Sequence, residues 1–255
     1  MLKDITLGQY FPGNSIAHKL DPRTKILLVT LYIIALFSAK GWMGYAVMAV
    51  TLAACVKVSH VGLRALVRGL KPLVFIIAFT GILNMFFTPD THYLWEWGIL
   101  RVSVKGIENA LFMVIRIMLL VMGTFLMTYT TSPIRLTDGL ESLLNPLKKI
   151  HVPVHELAMM MAIALRFIPT LIEETDKIMS AQKARGADFD ILVPLFISAF
   201  RRADELATAM ECRCYHGGEG RTKLHVLKYQ RRDYVALAGG AVILVLVVVL
   251  RRLGA

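Results

Sequence analysis

The sequence predicts an all-α, polytopic membrane protein: a bundle of about five transmembrane helices with long helices on the cytosolic side. Hydrophobic residues make up 56% of the 255 residues and the mean hydropathy is +0.59, too apolar for an ordinary soluble domain. The formal net charge of +11 gathers in the loops between apolar runs. This placement indicates a lipid bilayer, and not a nucleic acid, as the partner of the basic residues.

Five apolar runs supply the predicted spans, at residues 25–40, 41–58, 70–88, 107–130 and 233–250. The first two are separated by Lys40-Gly41-Trp42, so we expect a tight hairpin there. These runs divide the chain into an N-terminal membrane region with four spans (1–131), a helical cytosolic region (132–232) and a C-terminal span (233–255).

The distribution of basic residues predicts the orientation. The larger basic groups lie before the first span and between the second and third spans. They are Lys3, Lys19, Arg23 and Lys25, then Lys57, Arg64, Arg68 and Lys71. We therefore expect a multi-pass membrane protein with its N-terminus in the cytosol and, after five spans, its C-terminus outside. Arg251 and Arg252 at the far end argue against the second expectation. The first ten residues lack the apolar core of a cleavable signal, and three cysteines form no disulfide framework.

Two long helices are predicted in the cytosolic region. One runs from about Val154 towards Gly186, bent or broken at Pro169, and the other begins near Val193 and Pro194. Each is apolar in its first half and charged in its second. Such apolar halves are too hydrophobic for water, so we expect them against the membrane, the spans or another membrane protein.

The charged halves repeat one ten-residue pattern, at residues 176–185 and 204–213. Both read Asp, any residue, Ile or Leu, any residue, Ser or Thr, Ala, three variable residues and Arg. Each arginine, Arg185 and Arg213, precedes a helix stop, because Gly186 follows one and Gly217 lies just beyond the other. Singly, either would be a cation favoured by the helix dipole. Together they indicate two equivalent contacts offered to a two-fold partner, since the arginine fork suits protein interfaces.

No enzyme or cofactor site is predicted. The chain lacks a phosphate-binding loop, so any energy from ATP must come from another subunit. His155-Glu156 lacks the second histidine of a zinc hydrolase, since position 159 is Met159. Cys212, Cys214 and His216 lack a fourth metal ligand. Arg116 and Arg166 are interpreted as structural pairing residues in preference to substrate ligands.

Several strings resemble one family along nearly the whole chain. They are Gly8-Gln-Tyr-Phe-Pro-Gly-Asn-Ser15, Leu20-Asp-Pro-Arg-Thr-Lys25, Leu143-Leu-Asn-Pro-Leu147, Ala164-Leu-Arg-Phe-Ile-Pro-Thr-Leu171, Ala181-Gln-Lys-Ala-Arg-Gly-Ala-Asp188 and Gly218-Glu-Gly-Arg-Thr222. The chain resembles the transmembrane T component (EcfT, CbiQ-like family) of energy-coupling factor transporters, the bacterial and archaeal ATP-driven importers of vitamins and transition-metal ions.

The resemblance implies a non-catalytic scaffold whose two coupling helices each end in a triplet that docks on one of two ABC ATPase subunits, of the EcfA and EcfA' type. The triplets here are Ala184-Arg185-Gly186 and Cys212-Arg213-Cys214. It also implies a substrate-binding membrane partner, the S component, one of several interchangeable ones. Its docking surface would be Met159, Met160, Met161, Leu195, Phe196 and Phe200.

Two departures from the family pattern stand out. Cys212 and Cys214 replace the usual Ala or Ser and the usual Gly, so a helix cap at position 214 is less secure. Family members also have a longer connection where Asp190 here meets Ile191 directly, either because this loop is truncated or because residues are missing from this sequence. We favour missing residues, because four residues leave little room for a sharp reversal between two long helices.

Two rival functions remain. An intramembrane enzyme would need polar catalytic groups inside the spans. The fourth span offers only Arg116 with hydroxyls such as Thr124, and no Ser/His or Asp/Asp constellation recurs at helical spacing. A self-contained transporter would show inverted repeats and spans broken by Gly or Pro, whereas the repeat here lies in the cytosolic region.

Overall fold

The computed structural model describes residues 10–87, 93–97, 100–186, 191–217 and 227–252. These residues are almost entirely helical, which confirms the predicted all-α class. The α-helices are α1 (Ile16–Lys19), α2 (Pro22–Ser38), α3 (Gly41–Ser59), α4 (Leu63–Leu70), α5 (Val74–Phe87), α6 (Val104–Thr130), α7 (Pro133–Leu144), α8 (Val154–Ala184), α9 (Leu192–Glu211) and α10 (Arg231–Arg252). Short 3₁₀ helices, Lys71–Leu73 and Asn145–Ile150, follow α4 and α7.

Five described segments are long and apolar enough to cross a membrane, so the protein is membrane-embedded. They are Gly41–Ser59, Leu63–Phe86, Val104–Thr130, Val154–Ala184 and Arg231–Arg252. Four correspond to predicted spans, and the predicted tight connection before α3 is confirmed. The remaining predicted span, at 25–40, falls in α2, which with 17 residues is at the short end of the range that crosses a bilayer. Helix α8, which is not among the predicted spans, is also long and apolar enough.

The helix predicted to bend or break at Pro169 does not break. Helix α8 continues from Val154 to Ala184 with Pro169 inside it. Proline removes a single backbone donor, and the hydrogen bonds of the flanking turns carry the helix across that position. The apolar and the charged half of this segment therefore belong to one continuous element.

A small antiparallel hairpin connects α5 and α6. Strand β1 (Tyr93–Trp97) pairs with β2 (Leu100–Ser103), with Trp97 opposite Leu100 and Glu96 opposite Arg101. Aromatic and branched residues favour extended backbone, which explains strands in this otherwise helical chain. Ser103 then begins α6 by accepting a hydrogen bond from the Lys105 amide at 3.2 Å.

The chain forms two compact units. The core unit consists of Tyr10–Ser132 and Lys228–Ala255, and the insert unit includes Pro133–Leu227. In the core unit, apolar side chains from α2, α3, α4, α6 and α10 pack together, among them Leu36, Met48, Leu66, Leu119 and Val247. Many other apolar side chains on these helices are exposed, as expected where lipid is the solvent.

A polar cluster ties the beginning of α2 to α6 and α10. The buried Asp233 carboxylate accepts hydrogen bonds from the Asp21 amide at 2.9 Å and the Gln230 amide at 2.8 Å. The buried Lys25 ammonium donates to the Thr130 carbonyl at 2.8 Å and the Thr131 hydroxyl at 3.1 Å. These bonds satisfy groups that would be costly to bury alone. They give the string at residues 20–25 a structural role.

Arg116, inside the apolar helix α6, pairs with Tyr45 of α3. Its Nε and Nη2 atoms donate to the Tyr45 hydroxyl at 2.9 and 2.6 Å, and its guanidinium lies over the Phe37 ring. An arginine at this depth needs such partners. Arg116 therefore has the structural partner that its interpretation as a pairing residue expects.

Gly106 permits the close approach of α6 to α5. A methyl group at this position would lie 2.8 Å from the Met85 carbonyl oxygen, and backbone cannot move aside as a side chain can. We expect Gly106→Ala to lower the free energy of unfolding by about 1–3 kcal/mol, the usual cost of overpacking. Thermal unfolding in detergent measures this. Gly239→Ala on α10, where an added methyl group meets nothing within 4 Å, is the control. Equal stability of the two variants would contradict the expectation.

Candidate functional site

Helix α8 ends at the first predicted arginine. Arg185 is the C-terminal cap, and its amide donates to the Ala181 and Gln182 carbonyls at 3.2 and 3.0 Å. Gly186 then takes a left-handed conformation with φ of +78° and donates to the Lys183 carbonyl at 3.1 Å. Glycine adopts this conformation without strain, which explains the helix stop.

Helix α9 ends in a similar way, with Cys212 as its C-terminal cap. Cys214 is left-handed with φ of +55°, and its amide donates to the Glu211 carbonyl at 2.9 Å. The Tyr215 amide donates to the Met210 carbonyl at 3.0 Å. These two bonds form a Schellman motif in which Arg213 immediately precedes the left-handed residue.

Arg185 and Arg213 thus occupy equivalent positions in two equivalent helix ends. Each is followed by a left-handed residue whose amide bonds the carbonyl three residues back, and both arginines are exposed. The equivalence extends one turn and more upstream, because Ser180 donates to the Asp176 carbonyl and Thr208 to the Asp204 carbonyl. The sequence repeat is therefore also a geometric repeat. Each end presents one guanidinium, able to donate to two acceptors in one plane.

Cys214 carries the strain that Gly186 avoids. A side chain in the left-handed region costs about 1–2 kcal/mol, so we expect Cys214→Gly to raise the stability of the α9 end by about 1 kcal/mol. The Tyr215 amide and the amide of residue 214 make the cap hydrogen bonds, and their hydrogen exchange in the variant and in wild type measures this locally. Cys212→Gly, inside the right-handed turn, should lower protection instead. Faster exchange of the Tyr215 amide in Cys214→Gly would contradict this account.

Contacts in the middle of α8 and α9 join the two helices. The Glu174 carboxylate accepts hydrogen bonds from the Ser198 hydroxyl and from the Arg202 guanidinium, the latter at 2.9 Å. The Arg202 guanidinium also lies 6.0 Å from the centre of the Phe167 ring. Arg202 is thus a bridge between helices, whereas the neighbouring Arg201 is exposed. The sequence did not reveal this difference, because two adjacent arginines differ only in the face they occupy.

The predicted docking residues for a membrane partner lie on α8 and α9. Met160, Phe196 and Phe200 are 54, 61 and 68% exposed. Met159, Met161 and Leu195 are half-buried. Leu192, Val193 and Ile197, absent from the predicted set, are exposed and complete a stripe on α9 with the two phenylalanines. These residues recur at spacings of three and four with Phe196 and Phe200, so all five lie on one face of α9.

Two residues that were considered as catalytic or ligand groups, His155 and Arg166, lie on α8. The His155 Nδ1 lies 3.1 Å from the Glu141 carboxylate, which connects α8 to α7. Arg166 is exposed on α8, so its assignment as a pairing residue stays a prediction. Among the described residues, no three His, Cys, Asp or Glu side chains are grouped to hold a metal ion. Residues 8–9, 187–188 and 218–222 of the family-like strings, and Asp190 of the short connection, lie outside the described residues.

Comparison with known proteins identifies relatives along the whole chain. Residues 13–224 match the CbiQ family, described as cobalt transport protein. Proteins called "Energy-coupling factor transporter transmembrane protein EcfT" are similar over most of their length. The Ruminiclostridium cellulolyticum protein is 52% identical over 91% of this chain and 92% of its own. The Clostridium kluyveri protein is 51% identical over 99% and 98%, and the Bacillus subtilis protein 44% identical over 98% and 100%.

The alignment with the Clostridium kluyveri protein extends over 267 positions, more than the 255 residues of this chain. That relative therefore contains residues without a counterpart in this sequence. The family match covers most of the chain, and three relatives are far more than 30% identical over nearly their full length. This chain belongs to the CbiQ family and is a transmembrane component of the energy-coupling factor transporter type.

Proposed function

We propose that this chain is the scaffold that couples two cytosolic ABC ATPases to a substrate-binding membrane subunit, the S component, during ATP-driven uptake of vitamins or other micronutrients. The observation that carries the proposal is the equivalence of Arg185 and Arg213 at two matching helix ends. Two identical exposed guanidinium groups suit a partner made of two similar subunits. The triplets Ala184-Arg185-Gly186 and Cys212-Arg213-Cys214 then dock one ATPase each.

A displacement of the arginine ends of α8 and α9 can reach the apolar halves of both helices, because the two helices are joined upstream of those ends. The Glu174 contacts with Ser198 and Arg202 lie between the arginine ends and the apolar first halves. When the ATPases close and open, the two helix ends are displaced, and the connected pair carries the displacement to the apolar halves. A charge-assisted contact of this kind is stronger than a neutral hydrogen bond, which favours joint movement.

The apolar halves supply the surface for the S component. The surface on α9 consists of Leu192, Val193, Phe196, Ile197 and Phe200, with Met160 exposed on α8. Exposed aromatic and methionine side chains are adaptable anchors for a hydrophobic partner. In this arrangement the chain binds several S components in turn and contributes no substrate specificity of its own.

The orientation proposed for the chain follows from its function. ATPases reside in the cytosol, so the ends of α8 and α9 face the cytosol. The N-terminus is also assigned to the cytosolic side. This agrees with the excess of lysine and arginine in the predicted cytosolic loops. The core unit remains in the bacterial cell membrane with lipid around its exposed apolar side chains.

Co-purification tests the proposal directly. The tagged chain, produced with the ATPases and S component of its own organism, should retain two ATPase subunits and one small, very hydrophobic membrane protein. ATP turnover should appear in the complex and be absent from the chain purified alone, since it contains no phosphate-binding loop. Turnover by the single chain, free of other ATPases, would refute the scaffold function. Uptake activity without any ATPase would favour a self-contained transporter.

A further inference from the structure

Helix α4 has three distinct faces although it is only eight residues long. Leu66 and Leu70 are buried, and the Ala65 carbonyl accepts a hydrogen bond from the Tyr129 hydroxyl of α6 at 3.3 Å. Leu63 and Val67 are 65 and 57% exposed. Beside this exposed apolar strip lie the basic side chains Arg64, Arg68 and Lys71, which are also exposed. An interfacial helix has this order of faces: protein, acyl chains, headgroups.

A cavity of about 930 Å³ opens beside the first turn of α4. Arg64, His60 and His18 contribute its basic groups, and Phe11 and Ile16 are apolar lining residues more than half exposed. The described residues that line it include no aspartate or glutamate. Both imidazole nitrogens of His18 are engaged, with the Ser15 hydroxyl at 2.6 Å and the Phe11 carbonyl at 3.0 Å. Arg64 and His60 are therefore the groups that face a ligand.

We infer that this cavity and the basic face of α4 bind the headgroup of an anionic phospholipid, with Arg64 on its phosphate. Arg68 and Lys71 continue the positive face along the membrane surface. The acyl chains lie over Leu63 and Val67. The inference extends the proposed function, since it depends on this end of the core unit being the cytosolic one, but it involves neither coupling helix.

Charge and apolarity together select the lipid among possible anions. From Lys57 to Lys71 the chain has four lysines and arginines and no acidic residue, which favours a negative ligand. Free phosphate would satisfy the cations but leave Leu63 and Val67 uncovered. A phospholipid satisfies both, because basic side chains next to exposed apolar ones match a headgroup next to its acyl chains. Binding here would anchor the core unit at the membrane surface.

Native mass spectrometry of the full-length chain in detergent, with added dioleoyl phosphatidylglycerol, tests the inference. Wild type should retain phosphatidylglycerol in preference to dioleoyl phosphatidylcholine and should unfold at a higher temperature with it. The R64Q/R68Q variant should retain phosphatidylglycerol about tenfold or more less well, since each basic residue near a lipid surface contributes appreciably. R64K/R68K keeps both charges and should retain most of the binding.

The matched control is R251Q/R252Q, which removes the same charge from two exposed arginines at the end of α10. It should bind phosphatidylglycerol as wild type does. Equal binding by wild type and R64Q/R68Q, or a thermal shift of the same size with inorganic phosphate, would overturn the inference. Should R64Q/R68Q not fold, a photoreactive phosphatidylglycerol must label residues 57–71 of wild type, and labelling elsewhere only would overturn it.

ATPase capture distinguishes this inference from the proposed function. R64Q/R68Q should still co-purify with both ATPases, because the proposed ATPase contacts are Arg185 and Arg213. Loss of ATPase capture with unchanged phosphatidylglycerol binding would assign α4 to the ATPases and overturn the lipid site. Loss of ATPase capture by wild type itself would refute the proposed function while leaving the lipid result intact.

Discussion

The R185A/R213A double variant should lose nearly all co-purifying ATPase and nearly all ATP-dependent uptake, whereas either single variant should lose only part. A central interface arginine contributes about 2 kcal/mol or more when truncated. The two contacts belong to helices joined at Glu174, so one intact end holds its partner near the other at high effective concentration. Removal of both ends abolishes that advantage. Quantitative recovery of ATPase on the tagged chain, followed by uptake in vesicles, measures the difference.

Lysine substitutions separate charge from geometry at these positions. R185K/R213K should recover only part of the wild-type assembly, because an ammonium lacks the planar fork of a guanidinium. Arg201→Ala is the matched control, since Arg201 is exposed on α9 but lies upstream of the helix end. Arg202, although equally far from the end, is unsuitable because it pairs with Glu174. If R185A/R213A assembled and transported like wild type, both arginines would act only as cations favoured by the dipoles of their own helices, and not as ATPase contacts.

The membrane class and the two helix ends could be predicted from the sequence because they depend on local patterns. Apolar runs determine spans, and a glycine after Arg185 determines where α8 stops. The repeated ten residues predicted that Arg213 would resemble Arg185. This similarity extends to the backbone even though Cys214 stands where glycine would be favoured. Local sequence spacing is sufficient to predict the membrane class and the two helix ends, since both depend on helical geometry alone.

Features that depend on packing could not be predicted in the same way. The bridge from Glu174 to Arg202 joins residues on two helices, and nothing local distinguishes Arg202 from Arg201. The stripe on α9 requires knowledge of which face α8 leaves open, so the predicted docking set includes Leu195 although it is half-buried. Pro169 allows a break in α8 as well as a bend, and the helix does not break there because the surrounding turns tolerate one missing donor.

Charges placed on the apolar stripe should have the second largest effect. F196E/F200E should nearly abolish capture of the S component while both ATPases remain bound. Phe196 and Phe200 are 61 and 68% exposed in this chain and would become buried against a membrane partner. An unpaired carboxylate buried at such an interface costs several kcal/mol, on the order of 3–5. The ratio of S component to ATPase in the purified complex measures the effect.

The control for this experiment introduces the same charge elsewhere on α9. A203E/A207E adds two glutamates at exposed positions in the polar half of the helix, with the same four-residue spacing. It should retain the S component, because neither position lies in the apolar stripe. If F196E/F200E lost the ATPases and kept the S component, the two docking surfaces would have to be exchanged. The outcome therefore depends on which half of α9 contacts which partner, and not on the helix being present.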